Sequence, residues 1–367
     1  MEENVIPNLN NAEKPQRNKS IELLRIVLML MIIASHVKAH GGIVYEKFGV
    51  NSAFLAVLGC CGNLAVNVFI VITGYYSLQS KFNYKKIIRL ILEVTLYSII
   101  LNTVSLIYGN STFSVNFVLA TILPIFFGKG YWFIVRYLQL YLLIPLLNIG
   151  LKGVGQKFHL LLIVIFGIMF CAIPSLIGPF FTVQDYQYST LIWFVWLYAL
   201  GAYLGIYGSV FYRKKKLTLA LLLLAILILI VAIVVKNYYS FQDDPNHLFL
   251  KGIRKVSRIL GDQSRNAMLI VIISLLMFIA FQNMTIKLPN IVYPIAGSVF
   301  GVYLLHDNSE FKNILWQTIC GTTRMQNSPW FPLYAIVIVI LIFTVCCIID
   351  ILVRKFIFKP LYKKIKL

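Results

Sequence analysis

Long apolar runs separated by short polar joints recur along the whole chain. Runs near the ~20 residues that a helix needs to cross a hydrocarbon core cover Ile21–Val37, Ala53–Leu78, Ile87–Tyr108, Tyr131–Ile149, His159–Gly178, Thr190–Gly208, Leu217–Val235, Ala267–Gln282, Ile291–His306 and Leu333–Phe356. They predict an all-α polytopic membrane protein with about ten transmembrane helices. The further run Phe113–Phe127, about 15 residues and broken by Pro124, is short for a span and reads as interfacial or re-entrant. No internal repeat and no appended soluble domain is visible. Residues 20–358 therefore read as one membrane domain. A polar, asparagine-rich leader, 1–19, is expected to be disordered and cytoplasmic, and 359–367 is a basic cytoplasmic tail. No A-x-A-like site follows the first run, so it is expected to stay as the first span.

Composition agrees with the pattern and excludes soluble classes. Hydrophobic residues make up 59% of the 367 and charged ones 13%. The net charge of +20 is no nucleic-acid signal in such a chain, because it falls in short clusters between spans, where the positive-inside rule and anionic headgroups account for it. If Phe113–Phe127 does not cross, the loops Lys81–Arg89, Lys152–Lys157 and Arg213–Lys216 and the Lys359–Lys366 tail share the side of the N-terminus. That predicts a multi-pass cell-membrane protein in the lipid bilayer with both termini cytoplasmic. The loop Lys236–Asn266 runs against the rule. It is expected outside, yet it holds Lys251, Arg254, Lys255, Arg258 and Arg265. Within it, Leu248–Leu260 reads as an interfacial amphipathic helix; the functional alternative is a basic lip that attracts an anionic polymer. The six cysteines lack metal-ligand spacing and read as packing residues, and no metal is expected.

Within the first run, Ser20–His40, two ionisable residues stand where a membrane helix avoids them, Arg25 and His36. Eleven positions make three turns plus about 20°, so both leave one helix face, roughly 16 Å apart along the axis. One helix thus offers a cation near one membrane face and an imidazole near the other. The alternative is structural: Arg25 snorkelling and bridged to Glu22, and His36 bonded to a carbonyl. The Lys85–Lys86–Ile87–Ile88–Arg89 cluster falls at the inner ends of the spans. His40, Trp132, His306 and Asp307 fall at the outer ends. That polarity suits a donor with phosphates inside and a reactive group outside, such as an acyl-coenzyme A.

These residues resemble the acyltransferase 3 family, integral membrane proteins that O-acylate cell-surface polysaccharides and related glycans. The resemblance covers nearly the whole chain. Its most specific part is arginine, ten residues, histidine: Arg25 and His36. Phe69-Ile-Val-Ile-Thr-Gly-Tyr-Tyr76 is similar to the second-span motif, with Thr73 for the usual serine. Lys86 and Arg89 match a pair of arginines spaced by two, with lysine for the first. Trp132…Tyr141-Leu-Leu-Ile-Pro145 and Gly301-Val-Tyr-Leu-Leu-His-Asp307 are similar to further family blocks. One departure is Tyr137, where many members carry a glutamate five residues after the tryptophan, so no carboxylate role transfers there.

The resemblance implies an O-acetyltransferase taking acetyl-CoA from the cytoplasm and acylating a surface glycan or lipid-linked sugar outside. His36 would be the general base or a transient acyl carrier. Arg25 would bind donor phosphate or line the conduit for the arm, and Lys86 and Arg89 would hold the nucleotide phosphates, with positive-inside anchoring as their alternative. Trp132, Tyr137, His306 and Asp307 would face the acceptor, with Trp132 alternatively an aromatic-belt anchor and His306 and Asp307 alternatively orienting His36 or capping their helix. Glu93 is expected to pair with Arg89, one turn before it, and Asp350 with Arg354. A different class, an exporter of polysaccharide or lipid-linked sugar, would show internal repeats and interrupted midplane helices.

Overall fold

The computed structural model describes residues 18–78, 80–127, 130–177, 190–208, 214–242, 248–284 and 287–367. Most of the polar leader, Arg213 of the Arg213–Lys216 loop and part of the Lys236–Asn266 loop lie outside them. Every regular element among the described residues is helical. Eight helices, or helices continued through a π turn, are long and apolar enough to span a membrane. In order they are α1 (Lys19–His40), α2 (Val50–Ser77), α3 (Tyr84–Ile107), α6 (Trp132–Gly153), α7 with α8 (Gln156–Ile177), α9 (Thr190–Tyr207), α10 (Lys215–Ser240) and α15 with α16 (Phe331–Lys364). Two shorter apolar helices, α12 (Met268–Gln282) and α13 (Val292–His306), complete the set expected from the runs. The Phe113–Phe127 run forms two short helices, α4 (Val115–Ile122) and α5 (Pro124–Phe127), broken at the proline as its ring requires. The chain is a multi-pass membrane protein.

At the centre, α1 lies along α2 and against α13. Its start is fixed by Asn18, whose side chain accepts from the Ser20 amide. Lys19 reaches the Leu288 carbonyl at 2.7 Å and Ser20 the Met284 carbonyl at 2.9 Å. Its far end stops at Gly41, whose carbonyl accepts from Thr322 at 2.7 Å, at the head of α14 (Thr322–Met325).

The α2–α9 crossing depends on two glycines. A Cβ on Gly74 would stand 2.2 Å from the Tyr198 carbonyl oxygen, and one on Gly201 would stand 2.2 Å from that of Val71. Small residues at such a crossing let backbones approach where apolar burial alone gives no drive. Trp193 of α9 then donates to Asn67 of α2 at 3.1 Å.

A polar network joins α3 to the last helices. Asp350, fully buried, accepts from Arg354 at 2.6 Å and from Tyr97 at 2.7 Å. Glu93 accepts from the other side of Arg354 at 2.9 Å and from Tyr362 at 2.9 Å. The Asp350–Arg354 pair stands as expected. The Glu93–Arg89 pairing does not: the Arg89 guanidinium lies 5.2 Å over the Tyr362 ring, while Glu93 faces inward to Arg354. A partner 261 residues away wins because Arg354 is half-buried between Glu93 and the buried Asp350, whereas Arg89 is exposed.

The stretch Leu248–Leu260 is a helix, α11, packed on α10. Ser257 is buried and Phe249 and Val256 are exposed. The Lys236 ammonium reaches the Gly261 carbonyl just beyond it at 3.2 Å.

Candidate active site

One cavity of about 760 Å³ lies between α1, α2, α6 and α13. Arg25 and His36 both line it, as their spacing on α1 requires, and so do Trp132, Tyr137 and Asp307. Its volume is in the range of sites for small molecules. Arg25 stands near the start of α1, 3.6 Å from Glu22, so the local bridge and the cavity position coexist.

At the other end, α1 and α13 finish side by side and bring four polar side chains together. His306 is fully buried and its Nδ1 lies 2.6 Å from the Val302 carbonyl, one turn back on α13. A carbonyl only accepts, so Nδ1 of His306 carries the proton. Neutral His306 then presents a lone pair on Nε2, which lies 3.1 Å from Nδ1 of His36. His36 must donate there, so its own lone pair is on Nε2. That atom has no hydrogen-bond partner among the described residues, and His36 is a lining residue of the cavity.

Asp307 caps α13 and faces both imidazoles of α1. Its Oδ1 is 3.8 Å from Nδ1 of His36 and 3.1 Å from Nε2 of His40. Burial pushes its carboxyl up, but the bond from His40 and the neighbouring His36 and His306 outweigh it and hold the group below the ordinary carboxylate range. Asn308, next in sequence, donates to Tyr131 at 3.1 Å, and Tyr131 donates to the Leu304 carbonyl at 3.0 Å. These bonds fix the turn that carries Asp307. Both helices also end here, and their carbonyl ends favour a positive charge by about 0.3–1 kcal/mol each when exposed. A protonated His36 would thus meet a carboxylate and two helix C-termini.

The predicted residues divide into two groups. His36, Arg25, Trp132, Tyr137 and Asp307 share the cavity, and His306 buttresses it from behind. Lys86 and Arg89 do not line it. They are exposed on the first turns of α3, though Leu90, the next residue, does line it. Trp132 is covered by the Arg265 guanidinium, 4.4 Å over its ring. Sequence reasoning placed His40 at the outer end without giving it a role. Its position four residues after His36, on the same helix face, is the signal that would have found it.

The same atoms have a second capacity. Ligand atoms of His36, His40 and Asp307 all lie within 4.8 Å of one another, a two-imidazole, one-carboxylate set that could hold a divalent cation.

No curated protein and no solved structure matches the chain. An acyltransferase domain model matches residues 18–351, which include Arg25, His36, the cavity walls and the His306–Asp307 turn. The chain belongs to the acyltransferase 3 family and is a membrane acyltransferase.

Proposed function

We propose that the protein is an O-acetyltransferase that moves an acetyl group from cytoplasmic acetyl-CoA to a hydroxyl of an extracytoplasmic glycan or lipid-linked sugar. The observation that carries this reading is the unpartnered Nε2 lone pair of His36, directed by the His306–Val302 relay and lining a cavity that also holds Arg25. Acyl transfer to a sugar needs the hydroxyl proton removed as the carbonyl is attacked. His36 takes that proton on Nε2, and Asp307 stabilises the imidazolium across 3.8 Å. The hydroxyl oxygen bonds to the acyl carbon, the thioester C–S bond breaks, and the coenzyme thiolate takes the proton back from His36. A transient acyl-imidazole on the same nitrogen would conserve the same groups.

Arg25 lines the path of the thioester arm. Lys86 and Arg89, beside Leu90 at the start of α3, take the nucleotide phosphates at the inner surface. Trp132 and Tyr137 face the acceptor. The positive-inside distribution supports cytoplasmic termini with His36 outside.

The experiment is transfer of label from radioactive acetyl-CoA to surface glycan by the detergent-solubilised protein, read as base-labile acetate. Absence of label with correctly folded protein overturns the reading. A metal-assisted alternative is favoured by the His36–His40–Asp307 geometry. Treatment with a chelator decides between them. Unchanged transfer supports the free base, whereas loss restored by added zinc assigns the cluster to a metal.

A further inference from the structure

At the His36 end of the cavity the rim is basic and built in place. The segment 261–266, which leads from α11 into α12, is pinned to α2 through its backbone and side chains. Gln263 donates to the Ala56 carbonyl at 2.8 Å, Asn63 to the Gln263 carbonyl at 2.8 Å and Asn67 to the Arg265 carbonyl at 2.8 Å. On this rim stand three cations from three elements. Lys38 of α1 lines the cavity and its ammonium is 3.5 Å from the Gln263 side chain. Gly59 leaves the groove in which Lys38 lies: a Cβ there would stand 2.6 Å from the lysine Cδ. Lys236 of α10 reaches the same segment, its ammonium 3.2 Å from the Gly261 carbonyl. Arg265 covers Trp132, another lining residue. The one carboxylate of the segment, Asp262, is turned back onto the Ser264 amide and hydroxyl at 3.0 and 2.8 Å. Cations gathered at the mouth of a cavity draw anions toward it and offer them charge-assisted hydrogen bonds.

We propose that this mouth is an anion-recognition site and that the acceptor is an anionic glycan, with a phosphate or carboxylate near the hydroxyl that is acylated. Calling the bound molecule the acceptor rests on the acyl-transfer reading above; the anion site itself does not. A sugar stacked against the Arg265–Trp132 pair would place its charged substituent between Lys38 and Lys236 and its hydroxyl toward Nε2 of His36. The basic face of α11, with Lys251, Arg254, Lys255 and Arg258, would raise the local concentration of such a polymer.

The test is binding to the full-length detergent-solubilised protein of three probes of matched length: a short poly(glycerol phosphate), an oligogalacturonate and a neutral dextran oligomer. At least one anionic probe should bind and weaken with added salt, dextran binding about tenfold or more weaker. Which anion binds separates phosphate from carboxylate. The double variant Lys38→Gln, Arg265→Gln should lose about tenfold in affinity for the anion, the scale of one charge-assisted bond. Lys236→Gln alone should show a smaller loss in the same direction. Dextran binding as tightly as the anions, or an unaltered anion affinity in the double variant, overturns the proposal. Anion binding without transfer of acetyl to any glycan would sink the enzymatic reading and leave this site standing. Transfer to neutral glycans with no preference for charge would do the reverse.

Discussion

Two buried polar clusters sit at opposite ends of this bundle, and they differ in one respect. In the cluster of Glu93, Tyr97, Asp350, Arg354 and Tyr362, both carboxylates are tied to the one guanidinium and each also accepts a phenol. In the cluster of His36, His40, His306 and Asp307, the bonds run in one direction and stop at a nitrogen lone pair facing a cavity. The first is closed and holds α3 to the end of α15. The second is open, and its unused valence is where chemistry can enter. Buried charge alone marks either fold or function; the open valence separates the two.

The comparison can be broken from both sides. The largest effect is expected from His36→Ala, which should lower kcat for acyl transfer about 10²–10⁴-fold, as loss of a positioned base does. Thermal stability in detergent should stay near that of the parent. A variant that unfolds instead would make the histidine cluster as structural as the arginine one. Next is Arg354→Leu, which strands Asp350 and Glu93 and should cost about 3 kcal/mol of stability, read as a fall in the unfolding midpoint. The figure is at the low end because the Arg354 side chain is 30% exposed. Surviving folded protein should keep its donor KM, and a selective loss of turnover would contradict the structural assignment.

His306→Gln should slow kcat about 10–100-fold, the usual range for a residue that orients a functional imidazole. KM should be unaltered, because His306 touches the cavity only through His36. The smallest effect is expected from Arg89→Ala, at the edge of the arginine cluster. Acetyl-CoA affinity should fall by a few-fold, as for an exposed charge, with stability unmoved. Equal affinity would remove α3 from the donor site.

The Arg25–His36 stripe was legible in the chain because both ends of the relationship lie on one helix, and helical period fixes their shared face. The spans were legible for the same reason, and the ends of α12 and α13 fell within a residue of the apolar runs. What local pattern missed is long-range pairing. Glu93 was assigned to its helical neighbour Arg89, but its partner comes from 261 residues away. The His306–His36 bond joins positions 270 apart; the order of spans put both at the same end, but not in contact. The basic lip was visible as charge, but its attachment to α2 through Asn63, Asn67 and Gln263 was not.

The paired glycines of α2 and α9 bear on how far the cavity can widen. With Gly74 and Gly201 each against the other helix's backbone, the α2 wall that supplies Phe69, Ile72 and Thr73 to the cavity is bolted down and has no slack. The opposite wall is unlike it: Gly297 of α13 has nothing packed where a side chain would stand. On the acyl-transfer reading, tolerance for a bulkier acyl group would then be set from the α13 side, and filling position 297 would tighten it.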